Sequence, residues 1–373
     1  MPKKFKDVRI VLLAKKNAIC SPEETRPISL LDSFLKVQER LFLDRFLQVL
    51  KNRGILPDSQ SGFRANHRLQ TRVLLLIDQI SSYMANSSPV ATVFVDFKSA
   101  FDQLWFLGCL AKVRRMGIPK AFINWIRVWL TNRRGRIEVN GKLSRWLAIL
   151  RGGPQGSCFT PTLFITYHSD MEDFLPIAVS FFFADDLAAV IAGRIGIRFT
   201  DQCIDLERRL HRFFEYLEFY ATLAVQPINY SKTKAMFSAR AVCYPNPLPD
   251  LHCGTASIEW VKIFKYLGYW ISTKIGWGHI IAYDERPLDD LCYVYWLKFF
   301  RALANSRDGF LLLEQFSNNV HRSLWQGGSS RIRCIHISKR FVSSTNVHIT
   351  LEYVVELNDY AHNIYTELVM KRL

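Results

Sequence analysis

Phe181-Phe182-Phe183-Ala184-Asp185-Asp186-Leu187-Ala188-Ala189-Val190 is the stretch that decides the fold. An apolar run enters a pair of carboxylates, and a second apolar run leaves it. The runs 178–183 and 187–191 read as two strands of a hairpin, with Ala184-Asp185-Asp186 at its tip. An Asp-Asp pair in a turn is ordinary by itself, because Asp accepts turn geometry. Here the flanks bury both strands, so the turn is pinned. A carboxylate set against an apolar core loses hydration. A divalent cation is the usual compensation, and Mg²⁺ takes oxygen ligands from one or two carboxylates together with substrate phosphates.

A second stretch has the same character: Thr92-Val93-Phe94-Val95-Asp96-Phe97-Lys98-Ser99-Ala100-Phe101-Asp102. A strand at 93–96 ends on Asp96. If the two strands lie side by side, Asp96 and Asp185 would hold the pair of ions that clamps the attacking and leaving oxygens in nucleotidyl transfer. Asp102 precedes a helical run and is expected as a helix-start carboxylate. A third piece is Arg151-Gly152-Gly153-Pro154-Gln155-Gly156-Ser157. Its glycines let backbone approach a ligand closely, and Gln155 is placed to hydrogen-bond a base or ribose edge.

Around these pieces the pattern alternates. A weak alternation at 8–14 predicts a strand. The spacing of Phe34, Leu41, Phe42, Phe46, Val49 and Leu50 predicts a helix over 34–50. Helices are predicted at 69–84, 104–116, 122–130 and 201–220, the last with Cys203, Leu206, Leu210, Phe213 and Leu217 on one side. Asn140-Gly141 between 136–139 and 142–146 predicts a hairpin closed by a type I′ turn. A strand pair is expected at 262–271, and helices at 288–303 and 311–324. Short antiparallel hairpins alternating with helices give an α+β sheet domain.

The 373 residues are 49% hydrophobic, enough for a large core, and the formal net charge is +16. A globular chain this basic is expected to meet a polyanion. Aromatic residues make up 13% and suit base stacking where they interleave with Lys and Arg. The eight cysteines stand singly, with no CxxC pair, so no disulfide framework or zinc knuckle is legible. His252-Cys253 and Cys334-Ile335-His336 are the two places with half of a metal site. Reduced thiols, no signal peptide and no long uncharged apolar stretch predict an intracellular protein, in nucleus or cytoplasm, without a membrane span.

In order along the chain, these pieces resemble the reverse transcriptase of non-LTR (LINE-like) retrotransposons. Arg26-Pro27-Ile28-Ser29-Leu30 resembles the family's first fingers motif, and Gln60-Ser61-Gly62-Phe63-Arg64 its second. Phe94-Val95-Asp96 through Ala100-Phe101-Asp102 resembles the palm motif with the first metal-binding aspartate. Gly153-Pro154-Gln155-Gly156-Ser157 followed by Thr160-Pro161-Thr162-Leu163-Phe164 resembles the motif that supports template and nucleotide. Phe183-Ala184-Asp185-Asp186 is similar to the metal-binding hairpin, Asn229-Tyr230-Ser231-Lys232-Thr233-Lys234 to the lysine motif, and Lys265-Tyr266-Leu267-Gly268 to the primer grip. Cys158-Phe159-Thr160 and Tyr167-His168-Ser169-Asp170 depart from the family's pattern, as does Lys234 where an acid is common.

The resemblance implies a right-hand polymerase fold with fingers at 1–91, palm at 92–272, a thumb-like helical region at 273–330 and a divergent tail at 331–373. It implies metal ligation by Asp96, Asp185 and Asp186, with two Mg²⁺ ions or Mn²⁺ in their place, and a proton-donating role for Lys232. It places Arg64, Phe97, Phe101, Gln155 and Gly156 at the incoming dNTP, with Arg64 on the triphosphate and Phe101 against the ribose 2′ position. Tyr266, Leu267 and Gly268 would hold the primer end. The partners implied are an RNA template, a DNA primer and dNTPs; the oligomeric state is not legible. The chain is expected to be a piece of an element's reading frame, lacking the upstream endonuclease. Two other readings stand beside this one: a non-catalytic relative that binds RNA, and a group II intron maturase.

Overall fold

A computed structural model describes residues 1–15, 21, 24–239 and 248–273. The expected helices at 288–303 and 311–324, the thumb beyond 273, the tail and Cys334-Ile335-His336 lie outside the described residues. The chain divides into two compact units, one of 1–69 with 87–261 and one of 70–86 with the chain from 262.

The first unit is built on two sheets. One has strand order β2-β1-β4-β5, with β6 also paired to β4. Its strands are β1 (Asp7–Ala14), β2 (Thr25–Leu30), β4 (Arg133–Val139), β5 (Lys142–Leu143) and β6 (Leu147–Ile149). The expected hairpin forms, with Asn140 at φ 49° and Gly141 at φ 75°, both positive as a type I′ turn requires. The pairing of β4 with β1 is parallel, Val8 opposite Gly135 and Ile10 opposite Ile137. A Cβ on Gly135 would strike Ile10, so this position keeps the sheet's covered face closed.

The other sheet has order β10-β11-β9-β3-β8-β7. It comprises β3 (Val90–Val95), β7 (Val179–Phe183), β8 (Asp186–Ala192), β9 (Lys234–Ser238), β10 (Leu251–Cys253) and β11 (Ala256–Trp260). β3 lies between β8 and β9 and is buried along its whole length. That burial accounts for its sequence, Val-Ala-Thr-Val-Phe-Val, apolar except for Thr92. The α+β class expected from the pattern is the one found.

Helices α1 (Ser33–Asn52), α3 (Phe106–Arg115), α4 (Lys120–Leu130), α5 (Thr160–Tyr167) and α6 (Phe199–Leu223) belong to this unit. Asp32 caps α1, accepting from Phe34 N at 2.9 Å. α6 buries Leu206, Leu210, Phe213, Phe214, Leu217 and Tyr220, while Cys203 is only half-buried. The face of α1 differs from expectation. Phe34 and Leu41 point outward, and Leu35, Glu39, Leu43, Phe46 and Leu50 point in. Glu39 goes in because the core supplies its partners: Trp129 Nε1 donates at 2.8 Å and Ser157 Oγ at 2.7 Å. The Arg133 guanidinium is buried nearby, beside the Trp129 ring.

The second unit, where described, contains α2 (Leu69–Ala85), which buries Val73, Leu76, Ile77 and Ile80. It also contains a hairpin of β12 (Ile263–Tyr266) and β13 (Tyr269–Ser272). No helix among the described residues is long and apolar enough to cross a membrane.

Candidate active site

The register of the second sheet brings the acids together. In the β3–β8 pair Val95 lies opposite Leu187, so Asp96, one step on, is directed toward Asp186, one step back. Asp186 in turn pairs with Phe183 in the β7–β8 hairpin, whose turn is Ala184-Asp185. Asp186 is thus the first residue of a strand rather than part of the tip. Ala184 holds φ +62°, a left-handed conformation that L-residues with a Cβ rarely adopt.

The electrostatics follow from that proximity. Burial raises the Asp185 carboxyl above the usual carboxylate range, with the Asp96 charge adding to the rise and the Arg26 guanidinium opposing it. Asp186 is pushed up to about 7, by desolvation first and then by the Asp185 and Asp96 charges. Asp186 keeps an exposed face, which lets water screen part of this effect. Asp96 is oriented from the other side. Asn229 Nδ2 donates to Asp96 Oδ2 at 2.7 Å, and Lys232 Nζ lies 3.9 Å from the same oxygen with its side chain 70% exposed. Thr233 Oγ1 accepts from Asp96 N.

The loop 152–157 is tied to the segment 101–104 and to β2. Gly152 N donates to Leu104 O and Gly153 N to Phe101 O. Gln155 O accepts from Ser29 N at 2.7 Å, joining the loop to β2. Gly156 sits at φ +123°, and a Cβ there would lie 2.6 Å from Ser29 O. Both facts require glycine. The Gln155 amide donates to both oxygens of Asp102, at 3.0 and 2.9 Å. Asp102 is therefore not a helix cap: it lies in a short 3-10 turn, and the residue preceding α3 is Trp105. Its carboxyl is raised by burial, with the Gln155 bond and the Lys15 charge opposing.

Phe101 is half-buried, its ring 4.6 Å from Phe164 and 6.2 Å from the exposed Phe63. Phe97 is buried in the core and bridges to Ile228. Arg64 turns inward and donates to the carbonyls of Pro57 and Gln60, with Asp58 at 3.8 Å. Burial lowers its pKa. The cations that act on the acids are Arg26 on β2, toward Asp185, and Lys232, toward Asp96, while Lys15, next after β1, acts on Asp102. Sequence reasoning gave neither Arg26 nor Lys15 a role; Arg26 stood in a recognised motif, and its alternation along β2 was the available signal.

In the second unit, Leu267 at φ +50° and Gly268 at φ +86° form the turn between β12 and β13, and Tyr266 pairs with Tyr269 beneath it. Tyr266 is buried. Elsewhere, His252 is exposed and Cys253 buried, on opposite faces of β10, so they do not form half of a metal site.

Among the described residues no three His, Cys, Asp or Glu side chains converge into a ready-made ion cage. The acids nonetheless suit a hard cation that brings its own oxygens. They are all-oxygen donors, from two adjacent strand ends and the turn between β7 and β8, and the Asp96 charge raises the proton affinity of both Asp185 and Asp186.

Several curated proteins are similar to this chain in sequence. The chain is 29% identical over 309 residues to a probable RNA-directed DNA polymerase from transposon BS of Drosophila melanogaster, covering 79% of this chain and 33% of the relative. It is 26% identical over 305 residues to the RNA-directed DNA polymerase from mobile element jockey of the same species, covering 79% and 32%. Both are non-LTR retrotransposon proteins, and the chain spans about a third of their length. Among solved structures, apo telomerase from Candida tropicalis aligns at TM-score 0.47 and 14% identity, over 72% of this chain and 54% of that one. The sequence pattern described as reverse transcriptase (RNA-dependent DNA polymerase) matches residues 13–271, more than half of the chain and the whole of the acid-bearing sheet. The chain belongs to the reverse transcriptase family.

Proposed function

We propose that this chain is an RNA-directed DNA polymerase core that adds dNTPs to a primer 3′ end on an RNA template. The observation that carries the reading is the strand register that sets Asp96 beside Asp186 at the end of a buried strand, with Asp185 in the adjoining hairpin turn. A membership in the family and relatives with the same activity in their names support it.

Asp96, Asp185 and Asp186 are the ligands for two Mg²⁺ ions, for which Mn²⁺ substitutes. An ion bound there would supply Lewis-acid charge toward the primer oxygen and the leaving pyrophosphate. The chain's own groups do the rest. Asn229 fixes the direction of the Asp96 carboxylate. Arg26, the cation acting on Asp185, neutralises the triphosphate, and Arg64 supports it by tying down the 57–60 loop. Lys232, exposed beside Asp96, donates a proton to the leaving group. Phe101 crowds the ribose 2′ position, with Phe97 fixed in the core behind it. Gln155 and Gly156 shape the floor under the nucleotide. Tyr266, Leu267 and Gly268 hold the primer end from their hairpin.

The fingers are 1–91, extended by the strands at 133–149, and the palm is 92–272. With these substrates the site of action is the nucleus or cytoplasm. The test is primer extension on an RNA template with dNTPs and Mg²⁺, alongside Asp96→Asn and Asp185→Asn. Extension by the parent and none by either variant, with primer–template binding kept within a few-fold, is the expected result. Variants that extend as well as the parent sink the metal-site reading. A folded parent that binds primer–template and extends nothing makes the chain an RNA-binding relative.

A further inference from the structure

The turn that carries Asp185 does not stand by itself. β7 is an edge strand of its sheet, and residues 59–61 lie along it. Phe182 N donates to Ser59 O at 2.9 Å and Ser61 N to Phe182 O at 3.0 Å, which makes a parallel bridge from Gln60 to Phe182. This contact covers an edge that would otherwise expose unpaired backbone.

From that strip the Gln60 side chain reaches into the turn. Its Nε2 donates to Ala184 O at 3.1 Å, and its Oε1 accepts from Ala184 N at 3.0 Å and from Gly62 N at 2.7 Å. One carboxamide thus binds both main-chain polar groups of the residue before Asp185. The carbonyl it holds belongs to the peptide that links Ala184 to Asp185, so its plane sets where the Asp185 side chain leaves the backbone. Gly62 presses directly on Ala184, with no room for a Cβ. Ala184 is the strained residue of the turn at φ +62°, and such a conformation persists only where surrounding bonds hold it. Gln60 is 5% exposed, so water does not replace these bonds if they are lost.

We infer that Gln60 is a positioning residue for catalysis, fixing the Ala184–Asp185 peptide so that the Asp185 carboxylate meets the divalent ion. The inference rests on the reading of Asp185 as a metal ligand. Groups that orient a metal ligand from behind affect affinity or activity by roughly 10–100-fold. A Gln-to-Glu change keeps the shape and the acceptor but sets oxygen against Ala184 O. A Gln-to-Met change removes all three bonds. A Gly62→Ala change pushes the same turn from outside.

The experiment titrates Mn²⁺ alone into the full chain, with free ion read by electron paramagnetic resonance, and follows primer extension and thermal unfolding in parallel. Gln60→Glu, Gln60→Met and Gly62→Ala should weaken Mn²⁺ binding and raise the Mg²⁺ concentration for half-maximal extension, each by on the order of 10-fold or more. Primer–template binding should stay unchanged. Ser59→Ala is the control for plain loss of stability, because Ser59 Oγ bonds Glu172 on the same strip but does not touch the turn. It should lower the melting temperature and leave Mn²⁺ affinity alone. Folded Gln60 variants with parental Mn²⁺ affinity and extension overturn the inference, as does a Ser59→Ala that loses the ion equally. Asp185→Asn separates the two levels. If it binds Mn²⁺ as the parent does, the reading of Asp185 fails and takes the inference with it. If it loses the ion while the Gln60 variants do not, the inference alone fails.

Discussion

Asn229 holds Asp96 at both ends of the residue: its side-chain amide donates to Oδ2 at 2.7 Å, and its main-chain N–H donates to the Asp96 carbonyl at 2.8 Å. Lys232 lies farther from the same oxygen and mostly in water, where an ion pair contributes little. Asn229→Leu is therefore expected to slow single-turnover extension by about 10-fold or more, corresponding to about 1.4 kcal/mol or more of transition-state stabilisation. Lys232→Met should leave the Mg²⁺ midpoint near that of the parent. Equal effects of the two substitutions on that midpoint would mean that Asn229 has no special hold on Asp96.

Phe101 packs on Phe164 with its other side toward Phe63, and its carbonyl is tied to Gly153. The ring is thus fixed beside the loop of Gln155 and Gly156. Phe101→Val should raise incorporation of rNTPs relative to dNTPs, measured by competition on one template. An unchanged ratio with reduced stability would leave Phe101 as a packing residue.

Glu39 is wholly buried and is the anion acting on Arg133, whose guanidinium nitrogens have no hydrogen-bond partner. Removing one member of a buried charge pair leaves the other uncompensated, at a cost of about 3–5 kcal/mol. Glu39→Ala should lower the free energy of urea unfolding by that amount. It should also loosen the 157–160 turn, since Ser157 Oγ donates to Glu39 while accepting from Phe159 N. A change below about 0.5 kcal/mol, the size of a neutral surface substitution, would contradict this.

His168 is buried among Phe164, Tyr167 and Tyr220, with Nδ1 on the Tyr220 hydroxyl. Burial first, and the Lys112 charge second, push its pKa down from 6.5 to about 3. The unfolded chain then binds a proton in that window that the folded chain refuses. Stability from this residue is present above pH 6.5 and declines as pH falls toward 3, by at most about 1.4 kcal/mol per pH unit. Unfolding free energies measured from pH 7 to pH 4 should fall more steeply for the parent than for His168→Phe. Parallel curves would remove His168 from the acid response.

What was legible in the sequence was local. Asn140-Gly141 dictates its own turn, α6 repeats its apolar residues at helical spacing, and the strands around Asp96 and Asp185 are apolar because both sheet faces are covered. What was not legible depends on partners far along the chain. Nothing near Glu39 announces that Trp129 and Ser157 will receive it, and the apolar spacing that predicts the helix includes Phe34 and Leu41, which the fold leaves exposed. Asp102 looked like a cap because its acceptor role toward Gln155 spans 53 residues. Gln60 and Ala184 are 124 residues apart, and only the β7 edge brings them together. Arg64 was expected at the triphosphate for its charge, but carbonyls in its own loop bind it first.

The parallel pairing of β1 with β4 also orders events during synthesis. β1 ends at Ala14, while its parallel neighbour begins at Arg133. A ribosome adding about 5–20 residues per second needs on the order of ten seconds to make the intervening stretch. Throughout that interval the first strand has at most β2 beside it, and a two-stranded hairpin is marginal in water. The β1–β2 segment therefore waits, half-paired, for a partner strand emerging more than a hundred residues later. For this chain the vulnerable period is its own translation, when a holdase that shields β1 would matter most.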